Sequence, residues 1–177
     1  ALTTADQIAV AEAKGFQVLD LDASAATDQR RLATEMEFVQ AECLSLLSQG
    51  HDVLVTTARG PDDPIVARVS EAITTSGATP GEVNARLGTA LGQLVSNIRR
   101  KTKMRRIAMG GGDTSGYALT QLGADALSAV APLAPGAPVC RIHNRADSTI
   151  DGLEVTLKGG QMGEPTFFLE AKGGPQT

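Results

Sequence analysis

The sequence predicts an α/β fold, a three-layer sandwich whose mixed, mostly parallel sheet carries helices on both faces. Three observations point there. The first half alternates apolar strand-like runs with amphipathic helical repeats, as βαβ units do. The run Asp52-Val53-Leu54-Val55-Thr56-Thr57 is apolar through its middle, as suits a strand covered on both faces. The last quarter offers short strand candidates with no helix-length spacer between them.

The elements follow in order. Thr3 or Thr4 reads as the N-cap of an opening helix, with Asp6 or Gln7 completing a capping box and Gly15 ending it. Phe16 to Leu21 is a strand. A long helix runs from about Thr27 to Gln49, with Leu32, Met36, Val39, Cys43 and Leu46 or Leu47 on one face. After the strand at 52–57 and the loop Ala58-Arg59-Gly60-Pro61-Asp62-Asp63-Pro64, Ile65 to about Ser76 is helical. Thr79-Pro80-Gly81-Glu82 then sets a cap, an N1 proline and a capping-box acid in sequence. Its helix carries Val83, Leu87, Leu91, Leu94 and Ile98 at three- and four-residue steps. The basic run Arg99 to Arg106 closes it and reads as solvated capping charge. Residues 106–109 form a short strand and Tyr117 to Leu122 a helix stopped by Gly123. The remaining strand candidates are Leu127 to Ala131, Val139 to His143, Leu153 to Leu157 and Thr166 to Leu169, with Pro132, Pro135-Gly136 and Pro138 punctuating the first gap.

Bulk properties narrow the function. A chain of 177 residues buries a sizeable core without disulfides or metals. A net charge of −4 with interspersed signs, and only 3% aromatic residues, argue against nucleic-acid or anionic-membrane partners. Cys43 and Cys140 read as buried free thiols, which suits a reducing, cytoplasmic setting. No zinc-ligand spacing is present, and no metal-ligating residue is assigned. No apolar stretch is long enough to span a bilayer. The start at Ala1 suggests a cut between domains and 173–177 a flexible tail, leaving 1–172 as one domain.

Three loops follow strands and could carry chemistry. In Met109-Gly110-Gly111-Gly112-Asp113-Thr114-Ser115-Gly116, a glycine turn opens a helix, leaving unpaired N–H groups and the positive end of the helix dipole in one place, a natural phosphate site. Neither the dinucleotide nor the P-loop fingerprint fits its spacing. A plain strand-to-helix connection capped by Asp113 would use the same residues. Lys158-Gly159-Gly160-Gln161-Met162-Gly163 follows another apolar strand and offers a cation with close backbone approach, or a hairpin loop with Lys158 in solvent. In a mostly parallel sheet both loops lie at the same edge. Arg59 could contact a phosphate or a base, or be a solvated turn arginine. His143 has no visible partner, and no catalytic residue is assigned.

The order Thr4-Ala5-Asp6-Gln7-Ile8, then Gly111 to Gly116, then Ala134-Pro135-Gly136-Ala137-Pro138, then Leu157-Lys158-Gly159-Gly160-Gln161-Met162-Gly163, resembles the C-terminal domain of the four-carbon acid sugar kinases, long labelled Hrp-dependent type III effector proteins. The resemblance implies an ATP-binding half of a kinase phosphorylating a four-carbon sugar acid, with an N-terminal domain of the same protein holding that small-molecule substrate and the catalytic base belonging to that domain or to the interface with it. It implies ATP contacts at Gly111, Gly112, Asp113, Thr114 and Gly160, with Lys158 and Gly163 closing over the nucleotide, Mg²⁺ accompanying it, and a further serine contact in a segment before the opening helix. A homodimer is a further expectation. Gly159, Gln161 and Met162 stand where the family usually has Ser, Asn and Phe. Those departures leave an alternative, a non-catalytic regulatory or interaction module with a vestigial anion site.

Overall fold

The computed structural model describes residues 2–173; of the tail expected at 173–177, Gly173 ends a helix and 174–177 lie outside the described residues. Among the described residues the fold is α/β, with six α-helices, a two-stranded parallel sheet and a four-stranded mixed sheet. The elements are α1 (Leu2–Ala13), β1 (Gln17–Asp20), α2 (Gln29–Ser48), β2 (Val53–Thr56), α3 (Pro64–Ser76), α4 (Pro80–Lys101), β3 (Arg106–Gly110), α5 (Gly112–Gln121), β4 (Ala126–Ala134), β5 (Ala137–His143), β6 (Glu154–Lys158) and α6 (Phe167–Gly173).

The strands divide into two hydrogen-bonded sheets. β1 and β2 pair in parallel as one, and β3-β6-β5-β4 form the other. In the larger sheet only β3 and β6 are parallel, while β5 runs antiparallel to β6 and to β4. The antiparallel half follows from connection length. Pro135-Gly136 joins β4 to β5 directly, with Gly136 at φ 73, and a parallel pair would need a long crossover. Pro132 falls inside β4, not in a gap. It is tolerated because β4 is an edge strand whose register shifts on either side of Ala131.

Helix boundaries follow capping chemistry. Asp28 accepts from the amides of Arg30 and Arg31 and starts α2, and Asp63 accepts from Ile65 to start α3. Thr79 and Glu82 form the reciprocal capping box of α4. Two expected elements differ. Thr166 to Leu169 is no strand. Thr166 donates to Glu170, Phe167 and Ala171 bury four residues apart, and the segment closes as a turn leading into α6. Arg99, Arg100 and Arg106 are not solvated capping charge. Arg99 donates to the carbonyls of Thr149 and Met104, Arg100 pairs with Asp147 at 2.6 Å, and Arg106 pairs with Glu154. The contacts of Arg99 with Thr149 and of Arg100 with Asp147 hold down the polar segment after β5.

Three apolar clusters fill the interior. Leu32, Val39, Cys43, Ile65, Val83, Leu87, Leu94 and Ile98 pack α2, α3 and α4 together. Ile8, Ala11 and Leu54 pack α1 on the other side of β2, so that Leu54 and its neighbours Val53 and Val55 alternate between the two clusters. Leu122, Ile142, Ile150, Leu153 and Val155 form the core of the larger sheet, joined by Val95 of α4.

Candidate functional site

Parallel pairing puts the two glycine loops side by side. Gly110, the last residue of β3, is in register with Lys158, the last of β6, and the Gly111 amide donates to the Lys158 carbonyl at 3.1 Å. Both chains therefore turn away from the sheet at its carboxyl edge, where ligands bind in parallel sheets.

The first loop is short. Gly111 sits at φ 115, a conformation that needs glycine, and α5 begins at the next residue with no side chain capping its N-terminus. Asp113 is therefore not the cap. It lies exposed in the first helical turn, beside exposed Gly112 and half-buried Thr114. The first-turn amides are left for solvent or an anion, and the helix dipole favours the anion.

Lys158 is not in solvent. It is 3% exposed, and its ammonium donates to the Thr4 hydroxyl at 3.0 Å and to the Gly159 carbonyl at 3.1 Å. Nζ also lies 5.9 Å from the centre of the Phe167 ring. Burial lowers its pKa, and among the described residues no acidic side chain pairs with it. It lies against Gly110 at the start of the first turn, where a Cβ would be in ordinary contact with Lys158 Cε at 3.4 Å and Nζ at 3.8 Å.

The rest of the second loop is held by residues expected to cap a helix. Thr4 lies within α1, and its hydroxyl donates to the Gly160 carbonyl at 2.8 Å. Gln7 is fully buried, and its Nε2 donates to the carbonyls of Met162, Gly163 and Glu164, each at 3.0 Å. Gly163 is fixed by φ 82 and by Phe167, whose Cδ2 would stand 2.8 Å from a Cβ at that position. Met162 reaches across to the β4–β5 turn, where a Cβ on Gly136 would meet its Cε at 2.2 Å. A Cβ on Gly159 would stand 3.1 Å from Met162 Sδ, so a side chain at 159 and the thioether at 162 compete for one space. Four separated sequence motifs thus converge on one loop pair. Helical register conceals this clamp in the sequence, where a threonine and a glutamine near a helix start read as caps.

The other candidates lie elsewhere. Arg59 is occupied by Asp20 and Glu12 in a bidentate and chelated arrangement, which drives its pKa up. It borders an opening of about 290 Å³ at the ends of β1 and β2, on the smaller sheet. His143 is exposed, with Nε2 2.8 Å from Ser128 Oγ. Cys43 and Cys140 are free thiols, and burial pushes Cys43 up to about 11. Among the described residues no three His, Cys, Asp or Glu side chains gather to hold a metal ion.

A family model described as nucleotide-binding C-terminal domain matches residues 1–168. The chain belongs to the four-carbon acid sugar kinase family, as its nucleotide-binding C-terminal domain. It is 39% identical over 165 residues to the 3-oxo-isoapionate kinase of Paraburkholderia graminis, covering 93% of this chain and 35% of that protein. It is 26% identical over 155 residues to the D-threonate kinase of Salmonella typhimurium, covering 88% of this chain and 35% of that protein. The 3-oxo-tetronate kinase of Cupriavidus necator is 32% identical over 124 residues, 69% of this chain and 25% of that protein. The chain thus spans about a third of the length of the first two of these relatives. Among solved structures, Haemophilus influenzae protein HI1011 superposes with a TM-score of 0.72 at 18% identity, covering 98% of this chain and 38% of that one. A Bordetella bronchiseptica protein, crystallised as a domain-swapped dimer with citrate, gives 0.64 at 19% identity, covering 96% and 37%. These two likenesses concern the fold. No helix among the described residues is long and apolar enough to cross a membrane.

Proposed function

We propose that this chain is the ATP-binding half of a kinase that phosphorylates a four-carbon sugar acid. The observation that carries the reading is Lys158, a buried ammonium with no acidic partner among the described residues, placed under a glycine turn that ends in a helix without a side-chain cap among them. A buried charge is costly unless it is compensated. A nucleotide phosphate at the mouth of the turn supplies the missing negative charge, and two neutral oxygens already hold the ammonium in place.

Phosphoryl transfer asks the protein for positioning and charge neutralisation more than for covalent chemistry. In this reading the amides of Gly112, Asp113 and Thr114 hold phosphate oxygens. Lys158 and the loop carrying Gly160 and Gly163 close the other side. Asp113 and Thr114 offer the oxygens that would hold a Mg²⁺ accompanying ATP, directly or through water, and the cation would supply neutralisation of phosphate charge. The acceptor hydroxyl and the base that activates it come from an N-terminal, sugar-acid-binding part of the same protein, in keeping with the share of each relative that this chain spans. The reading places the protein in the cytoplasm. A homodimer belongs to it too, since a solved neighbour is described as domain swapped.

Gly112→Asp tests it. Residue 112 is the first of α5 and a side chain there meets nothing within 4 Å, and an acid in the first turn suits the helix dipole. The variant keeps its fold while placing a carboxylate where the phosphate sits. Calorimetry on the full-length protein should show MgATP binding at millimolar nucleotide, weakened tenfold or more by the substitution. No binding by the unmodified protein, or equal binding by both, removes the kinase reading and favours a module with a vestigial anion site.

A further inference from the structure

The ATP contacts proposed above lie on two loops, yet the fully buried Gln7 belongs to neither. Its Nε2 faces three carbonyls in a row, those of 162, 163 and 164, while its Oε1 has no hydrogen-bond partner among the described residues. An orphaned buried oxygen weakens the fold, so stability alone does not account for a glutamine here. Gln7 is also part of a larger pattern. The Gly159 carbonyl accepts from Lys158 Nζ and the Gly160 carbonyl from the Thr4 hydroxyl. Five carbonyls, of residues 159, 160, 162, 163 and 164, therefore point at α1 and Lys158.

The consequence is geometric. In a trans peptide the N–H of each residue points opposite to the preceding C=O, and no peptide bond among the described residues is cis. Drawing in the carbonyls of 160, 162 and 163 therefore turns the amides of Gln161, Gly163 and Glu164 away from α1, while the Gly159 carbonyl, which accepts from Lys158 Nζ and the Met162 amide, turns the Gly160 amide away from both. None of these four amides has an acceptor among the described residues, and the next residue, Pro165, has no N–H. Consecutive amides aimed one way make an anion-binding concavity.

We propose that Gln7 and Thr4 are positioning residues for the nucleotide site: by capturing the carbonyls of 160, 162 and 163 from α1, they aim the free amides of Gln161, Gly163 and Glu164 at the bound anion. This rests on the ATP reading, and the test separates the two. MgADP is titrated calorimetrically into the full-length protein and into Gln7→Met, Thr4→Val and Thr4→Ser variants. Gln7→Met matches the side chain's volume but cannot donate. Thr4→Val loses the hydroxyl, and Thr4→Ser keeps it. Gln7→Met and Thr4→Val should raise the Kd tenfold or more at unchanged binding stoichiometry, and Thr4→Ser should restore it to within about threefold. A merely structural role would lower the stoichiometry through misfolded protein and leave the Kd alone, and that result overturns the inference. An unchanged Kd with unchanged stoichiometry overturns it too, while unmodified protein that binds MgADP keeps the kinase reading intact. If Gln7→Met does not fold, the contrast between valine and serine at position 4 decides. Unmodified protein that binds no MgADP overturns the kinase reading and this inference together.

Discussion

At the residue scale, Lys158 separates the part of the site that the sequence reveals from the part it hides. A lysine after an apolar strand and before a glycine cluster is visible as a candidate cation, but its burial is not, because that depends on Thr4, 154 residues away, and on Phe167. Burial lowers the pKa of the ammonium below the ordinary lysine value of 10.5. Anion binding favours the charged form and so raises it again. MgADP affinity should therefore fall as the pH rises through that lowered value, and Lys158→Met should both weaken binding tenfold or more and abolish the alkaline limb. Stability moves the other way. The unfolded chain binds this proton more tightly than the folded one, so the unmodified protein gains stability as the pH rises from the lowered value toward 10.5. Lys158→Met, free of the buried charge, should lack that gain. Urea titrations at pH 7 and pH 10, with calorimetry at both, measure the two effects. A stability difference between the proteins that does not change with pH would show that the lysine is not desolvated.

At the element scale, the position of the α5 N-terminus is set by α4. The apolar positions on α4 are plain in the sequence, and Val83, Leu87, Leu94 and Ile98 are indeed buried. Two glycines on that helix are as consequential and less obvious. A Cβ on Gly88 would stand 2.5 Å from Tyr117 Cβ and 2.8 Å from the Thr114 carbonyl, and one on Gly92 would stand 2.6 Å from the Ala118 carbonyl. Small residues four apart let two backbones approach, a signal legible as Gly-x-x-x-Gly once a partner helix is known. Gly92→Ala gains up to about 1 kcal/mol of helix propensity. The overpacking it forces costs about 1–3 kcal/mol, so net destabilisation is expected. Gly88→Ala should in addition weaken MgADP binding, because its clash is with Thr114 in the first turn of α5. Gly81→Ala, on the same helix in open space, is the control and should not destabilise. Denaturant midpoints and MgADP titrations on the three variants check this, and a Gly88→Ala protein with unaltered stability would mean the helices are not in contact. The opposite error, a strand expected where α6 forms, has a similar origin. Phe167 and Phe168 look β-like locally, but the Thr166–Glu170 hydrogen bond and the buried Phe167 and Ala171 decide for a helix.

At the scale of the whole molecule, the question is whether two sheets make one folding unit. Composition shows no linker and no boundary, yet the strands divide into separate sheets with separate apolar clusters. What joins them is α4. Val83, Leu87, Leu94 and Ile98 lie in the first cluster, Val95 packs against the second, and the same helix carries Gly88 and Gly92 against α5. Neither cluster keeps its packing if α4 leaves, so unfolding should be cooperative across both. The chain carries one reporter inside the first cluster and one where α5 meets α4. Cys43, 1% exposed and with its thiol pushed up to about 11, sits in the first cluster and should resist thiol reagents until that cluster opens. Tyr117, the single tyrosine in a chain without tryptophan, lies where α5 meets α4 and reports on the second side. In a Cys140→Ser background, so that one thiol remains, urea midpoints from Cys43 labelling and from Tyr117 fluorescence should coincide. Midpoints separated by more than the error of the fits would mean that the smaller sheet and the glycine-loop sheet melt independently. In that case α4 would be a connection between two units, and the glycine loops proposed to face the nucleotide could open without disturbing the helical layer behind them.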